Sequence, residues 1–198
     1  MTSDYEKWKK VYKSYPLEAL PWELGKPRQV LVELIDKGII KKGKALDLCC
    51  GAGTNTIYLA KKGFVVTAMG ISSHAVEYAR ERAEKAEVKI KFLVENFLHL
   101  SFKDGEFDLV SDIGCFHHVK VKDRDVFIKG VHRVLKTGGT YFLVCFSYRN
   151  GPAWNHFTME QINQIFLEYF EIKDIRHVSS IEGDGITRYF YSVLMEKR

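Results

Sequence analysis

At 198 residues the chain is long enough for one domain with a substantial core and short for two. Its 46% hydrophobic and 28% charged residues are ordinary for a globular protein, and no apolar run reaches the ~18–20 residues that span a bilayer. The net charge of +5 rests on scattered lysines, with Lys41-Lys42-Gly43-Lys44 and Lys120-Val121-Lys122 as short clusters, which argues against a nucleic-acid partner.

The start, Met1 to Lys7, is polar and lacks a signal-peptide core, so the expected address is cytoplasmic. Tyr5, Trp8, Tyr12, Tyr15 and Trp22 are dense aromatics for a region preceding the first strand. Pro21-Trp22-Glu23-Leu24-Gly25-Lys26-Pro27 has a rigid, turn-like character. We expect residues 1–40 to form a helical segment laid over a core of residues 41–198, all within one domain.

From Lys44 the pattern alternates. Lys44 to Cys49 is a short apolar strand, a glycine turn follows, and Thr54 to Lys62 reads as a helix. Phe64 to Met69 is a second strand, and Ser72 or Ser73 caps a helix with Val76, Ala79 and Ala83 on one face. Val88 to Val94 and Phe107 to Asp112 are the third and fourth strands. The spacing of Phe127, Val131 and Leu135 predicts a helix over 123–135, which Thr137-Gly138-Gly139 ends. Thr140 to Ser147 is a fifth, nearly continuous apolar strand. Apolar runs separated by helices indicate a parallel sheet with crossover helices. After a helix over 159–169, two strands near 171–178 and 187–196 flank Glu182-Gly183-Asp184-Gly185, a turn that lets them pair antiparallel. The expected fold is therefore α/β: a Rossmann-like three-layer sandwich with a seven-stranded, mostly parallel sheet ending in an antiparallel hairpin.

The four cysteines, Cys49, Cys50, Cys115 and Cys145, form no CxxC pair and lie in or beside apolar strands. They read as buried thiols rather than disulfides or metal ligands, and no metal site is expected.

The strongest local signal is Ala45-Leu46-Asp47-Leu48-Cys49-Cys50-Gly51-Ala52-Gly53-Thr54-Asn55. Gly51 and Gly53 let the backbone turn sharply and let a ligand press against it, and the helix start presents free N–H groups. Such a turn after the first strand of an alternating sheet points to a nucleotide-like ligand at the carboxyl ends of the strands. The stretch resembles motif I of class I S-adenosylmethionine (SAM)-dependent methyltransferases, with Asp47 as its acid and Cys49 where the first glycine usually stands. Three further segments match in order: Phe64 to Ser72, Phe92 to Phe97, and Phe107 to His118, followed by Leu135-Lys136-Thr137-Gly138-Gly139.

The resemblance implies SAM as cofactor, held by Trp22, Asp47, Cys49, Gly51, Gly53, Asn55, Met69, Gly70, Ile71, Asn96, Phe97, Asp112, Ile113, Gly114 and His117. Asn96 would meet the adenine amino group and Phe97 its ring. His117 and His118 would be the catalytic candidates, as bases for the acceptor. The Pro-Trp element and the Gly-Cys-Phe-His-His stretch are similar to the thiopurine, thiol, halide and tellurite branch. This implies a small-molecule acceptor, with the N-terminal aromatics as a lid over the sulfonium. Tyr148, Arg149 and Trp154 are candidates for the acceptor wall. The expected assembly is a monomer or homodimer.

A second position departs from the family, and more consequentially. Gly70 stands where a carboxylate usually accepts hydrogen bonds from the ribose hydroxyls. Losing such a bond is worth about 1.5–3 kcal/mol, roughly 10- to 100-fold in affinity. Gly70 thus motivates the alternative of a SAM-binding protein with reduced or lost turnover. Methylation of RNA or protein is the other alternative, disfavoured because no recognition domain or basic stripe accompanies the motifs.

Overall fold

The alternation of apolar runs and helices becomes a seven-stranded sheet in the computed structural model, which describes residues 4–152 and 155–198. The N-terminal segment supplies α1 (Asp4–Ser14) and α2 (Gln29–Asp36), joined through a 3-10 turn at Leu17–Ala19. The core then runs β1 (Lys44–Leu48), α3 (Thr54–Lys61), β2 (Val65–Gly70), α4 (Ser73–Lys85), β3 (Ile90–Val94) and β4 (Phe107–Ile113). It continues with α5 (Arg124–Val134), β5 (Leu135–Phe146), α6 (Met159–Phe166), β6 (Phe170–Ile181) and β7 (Thr187–Lys197).

The strand order is β3-β2-β1-β4-β5-β7-β6. The first five strands in this order pair parallel, and β7 pairs antiparallel with both β5 and β6, as the alternation and the terminal turn imply. β1 is buried at Ala45, Leu46, Asp47 and Leu48 because helices cover both faces of the sheet. Ala45 faces α2 and α3 through Leu31, Leu34 and Leu59. Leu46 and Leu48 face α5 and α6 through Phe127, Val131, Ile162 and Phe166. Helices on both sides of a parallel sheet make three layers, and the order of strands reverses between β1 and β4, where such sheets bind ligands.

Ser72 caps α4 by accepting from the Ala75 N–H at 3.3 Å. Thr158 and Gln161 form a capping box on α6. The end of α5 differs from expectation. Leu135 is already extended, and Thr137-Gly138-Gly139 lies inside β5 rather than stopping a helix. These glycines serve a bulge where the β4–β5 register shifts: Gly138 has φ +73°, and a Cβ on Gly139 would sit 2.7 Å from the Lys136 carbonyl oxygen.

The cysteine reading also needs correction. Cys49 and Cys115, 66 residues apart, are joined in a disulfide with Cα atoms 5.9 Å apart. Pairing of β1 with β4 brings the ends of these strands side by side, an adjacency that spacing along the chain does not reveal. Cys50 and Cys145 remain free thiols.

Candidate functional site

The turns after β1, β2 and β4 open into a cavity of about 430 Å³ at the carboxyl ends of the strands. Its floor includes Cys49, Cys50 and Gly51 after β1, Gly70, Ile71 and Ser72 after β2, Phe97 after β3, and Ile113, Gly114 and Cys115 after β4. Gly51 and Gly114 have φ +54° and +94°, conformations that only glycine adopts readily. Gly51 also permits a close approach, because a Cβ there would lie 3.3 Å from the Tyr12 hydroxyl. Gly53 acts differently. Its Cβ would meet that of Ala79 at 2.8 Å, so its smallness lets α3 pack on α4 and it does not line the cavity.

The roof comes from the two ends of the chain. Trp8 and Tyr12 of α1 and Trp22 of the following segment line the cavity. Trp8 packs edge-on against Trp22 at 5.5 Å and against the His118 ring at 4.7 Å. The β6–β7 turn holds this roof in place. Both terminal guanidinium nitrogens of the part-buried Arg28 reach the carboxylate of Glu182, which is itself almost fully buried. The Gly183 N–H donates to the Pro21 carbonyl at 2.7 Å. The Arg28 N–H donates to Asn55 Oδ1 at 2.9 Å, tying the same segment to the start of α3. Glu23 accepts from the Thr54 hydroxyl and lies 3.6 Å from the Arg82 guanidinium.

His117 is buried and stacks on Phe146 at 4.1 Å, with its Nδ1 accepting from the Phe146 N–H at 3.3 Å. Burial, helped by neighbouring His118, holds its pKa well below the usual imidazole range, so the ring is neutral and, with Nδ1 accepting, carries its proton on Nε2. His118 packs against His117 at 4.3 Å and lines the same wall.

Two buried carboxyls lie beneath the floor. Asp112 accepts from the N–H groups of Cys115 (2.9 Å) and Phe116 (3.3 Å) and from the Tyr141 hydroxyl (3.1 Å). Asp47 accepts from the Thr56 hydroxyl. Burial raises both to about 7; for Asp47 the nearby Asp112 adds to the rise, and for both, hydrogen bonds oppose it. These groups brace the turns after β1 and β4 from below.

Of the residues expected to hold a cofactor, Trp22, Cys49, Gly51, Asn55, Gly70, Ile71, Phe97, Ile113, Gly114 and His117 line the cavity. Asp47, Gly53, Met69, Asn96 and Asp112 do not. Met69 is core. The Asn96 side chain accepts from the Leu98 N–H at 2.9 Å within its own loop. Arg149 covers the Tyr189 ring at 4.5 Å, and Tyr148 lines a separate hollow with His177 and Tyr191, so neither reaches the main cavity. Trp154 and the Tyr5 side chain lie outside the described residues. Glu182, Arg188 and Phe190 are cavity residues that the sequence reading missed. They sit in and after a turn otherwise read only as a chain reversal.

A parallel sheet with an antiparallel ending and a glycine-floored cavity at its reversal point defines the class. The family model described as "Methyltransferase domain" matches residues 45–139. An uncharacterized methyltransferase of Schizosaccharomyces pombe is 30% identical over 130 residues, 66% of this chain and 90% of that protein. The 2-heptyl-1-hydroxyquinolin-4(1H)-one methyltransferase of Mycobacteroides abscessus is 26% identical over 83% of this chain and 75% of its own length. The crystal structure of a SAM-dependent methyltransferase from Methanosarcina mazei superimposes with a TM-score of 0.73 at 26% identity, covering 87% of this chain and 98% of that one. The chain belongs to the class I SAM-dependent methyltransferases. Its matches to several other curated relatives span only 38–46% of their length.

Proposed function

We propose that this chain binds S-adenosylmethionine in the cavity and transfers its methyl group to a small-molecule acceptor, a thiol, a halide, or a nitrogen or oxygen nucleophile. The observation that carries this reading is the single cavity joining the three glycine positions, Gly51, Gly70 and Gly114, to the aromatic wall of Trp8, Tyr12 and Trp22. The fit is good on both sides. The glycines leave backbone open to a bulky nucleoside, and indole and phenol faces attract a sulfonium. When bound, the cofactor supplies an electrophilic methyl with a good leaving group.

The protein's part is then positioning and exclusion of water. Gly51 and Gly114 admit the ligand, while Trp8 and Trp22 cover it. His118, on the cavity wall, takes the proton from an acceptor that carries one, while His117, whose Nδ1 is occupied by the Phe146 N–H, keeps its proton on Nε2 and acts as a donor. The Arg28–Glu182 pair and the Gly183–Pro21 bond keep the roof closed over the reacting groups. A roofed cavity favours a small acceptor over RNA or a protein side chain. The hydroxyquinolone named for the M. abscessus relative is of that kind.

Calorimetry with SAM, S-adenosylhomocysteine (SAH) and NAD tests the cofactor, and SAH formation against a panel of thiols, halides, thiopurines, hydroxyquinolones and amines tests the acceptor. Both sulfur ligands should bind and NAD should not. Failure of both to bind at millimolar concentration ends this reading. Binding with no transfer to any acceptor would favour the protein of lost turnover.

A further inference from the structure

The Cys49–Cys115 bond crosses the line between β1 and β4 where the strand order reverses, and both cysteines line the cavity. Cys49 also has φ +55°, a left-handed conformation at the place where relatives usually carry glycine. An unsupported L-residue resists this conformation, so the turn needs something to hold it. Cys115 is well placed to do so. Its own N–H is fixed by the buried Asp112 carboxyl, and its side chain is almost fully buried. The bond therefore anchors a strained turn to a braced one.

We infer that Cys49–Cys115 is a thiol–disulfide exchange site that sets cofactor affinity, the disulfide being the tight-binding form and the dithiol the weak one. The inference rests on the methyltransferase reading above. With the bond intact, Cys49 stays in the turn that frees Gly51 for the ligand. With the bond reduced, Cys49 is released to relax from the left-handed region, and the floor loses its shape. Half-buried Cys49 faces the open cavity, so a small thiol reaches it there.

In the reductive step a thiolate of a small dithiol bonds to Cys49 Sγ, and the Cys115 sulfur departs and takes up a proton. The reagent's second thiolate then displaces Cys49, which is also protonated, and closes the reagent's own disulfide. Oxidised glutathione reverses the change, leaving two molecules of the reduced tripeptide. The adjacent Cys50 thiol stays protonated, pushed up by burial and by Asp47, so the bond is not shuffled onto it.

The test uses the full chain poised with oxidised glutathione or dithiothreitol, with thiols counted by alkylation in denaturant and SAH affinity measured by calorimetry. The oxidised chain should show two alkylated cysteines and the reduced chain four. SAH should bind the reduced chain about 5- to 30-fold more weakly, the factor for holding one L-residue left-handed without support. By linkage, saturating SAH should make the bond harder to reduce by the same factor. Cys115→Ser should bind as the reduced form does under either condition. Cys49→Gly, which adopts the turn without strain, should bind with one affinity under both conditions, and a redox dependence that persists in it overturns the inference even if the serine variant does not fold. Four alkylated cysteines after oxidation, or equal or tighter affinity in the dithiol, overturns the inference alone. Absence of SAH binding in both redox states overturns the methyltransferase reading and the inference with it.

Discussion

A carboxylate grafted onto position 70 meets Val76 before it meets any ligand. The Cβ it would add lies 3.2 Å from Val76 Cγ2 and 3.6 Å from Cys50 Sγ, so the glycine is matched by side chains that have moved into the room an acid would need. We expect Gly70→Asp alone to tighten SAH binding by less than ~10-fold. Combined with Val76→Ala it should gain the ~10- to 100-fold that a charged hydrogen bond is worth. Titration calorimetry on both variants checks this, and a double variant with no gain would mean that strand β2 is aligned wrongly with the family. The buried carboxyls make a second prediction at this scale. Asp47 and Asp112 titrate near 7 in the fold and near ~3.9 in an unfolded chain. Between those values the native state holds protons that the unfolded chain has released, so their stabilisation is complete below ~4 and is lost as pH rises to about 7. His117, depressed by burial, acts in the opposite sense: its stabilisation is lost as pH falls below ~6.5. Between pH 5 and 7 the melting temperature of the native chain should therefore decline relative to that of Asp112→Asn, which cannot ionise. Identical slopes would show that Asp112 does not titrate there.

Elements carry the roof. Glu182 is 4% exposed although it opens a turn, and its carboxylate is the partner of Arg28. Glu182→Gln would leave the part-buried Arg28 guanidinium without its counter-charge, a loss of at most about 3 kcal/mol. At ~2–4 °C per kcal/mol for a chain of this size, thermal melts should fall by at most about 6–12 °C. Limited proteolysis should then cut residues 20–28 faster; unchanged cleavage would mean the segment is held elsewhere. Thr158→Ala removes one half of the α6 capping box and should cost about 1 kcal/mol, a smaller shift in the same melts, without altering SAH affinity because Thr158 does not line the main cavity. The elements themselves were largely legible in the sequence. β1, β2, β4 and β5 announce themselves as apolar runs because helices bury both their faces, and Ser72 marks the start of α4. The α5–β5 junction was not legible, because Gly138 and Gly139 look the same whether they end a helix or form a bulge. Only pairing with β4 decides between the two.

At the scale of the molecule, residues of the glycine turn are readable because backbone conformation dictates their type. Side-chain direction is not so constrained. Asn96 is engaged by the N–H of Leu98 and the exposed Arg149 lies over the face of Tyr189, and neither fact is visible in local composition. The Cys49–Cys115 bond and the Arg28–Glu182 pair join residues 66 and 154 positions apart, contacts that exist only once the sheet is assembled. The N-terminal segment offers a test of the whole arrangement. α1 contributes no strand and packs through Val11 and Tyr12 on the small cluster of Leu17, Leu20, Ala52 and Ala75. Removing residues 1–14 should leave the far-ultraviolet circular dichroism close to native while weakening SAH binding by about 10-fold, through loss of Trp8 and Tyr12 from the wall. Loss of the folded spectrum would instead make α1 part of the core.

The bond between Pro21 and Gly183 also imposes an order in time. The residues named for the cavity floor have all been made once Cys115 is added. Trp22 and Arg28 are made earlier still and meet Trp8 and Asn55 early, but their contacts with Glu182 and Gly183 wait for the turn after β6. The roof is therefore fastened only after every strand of the parallel part of the sheet, and β6 as well, has been synthesised.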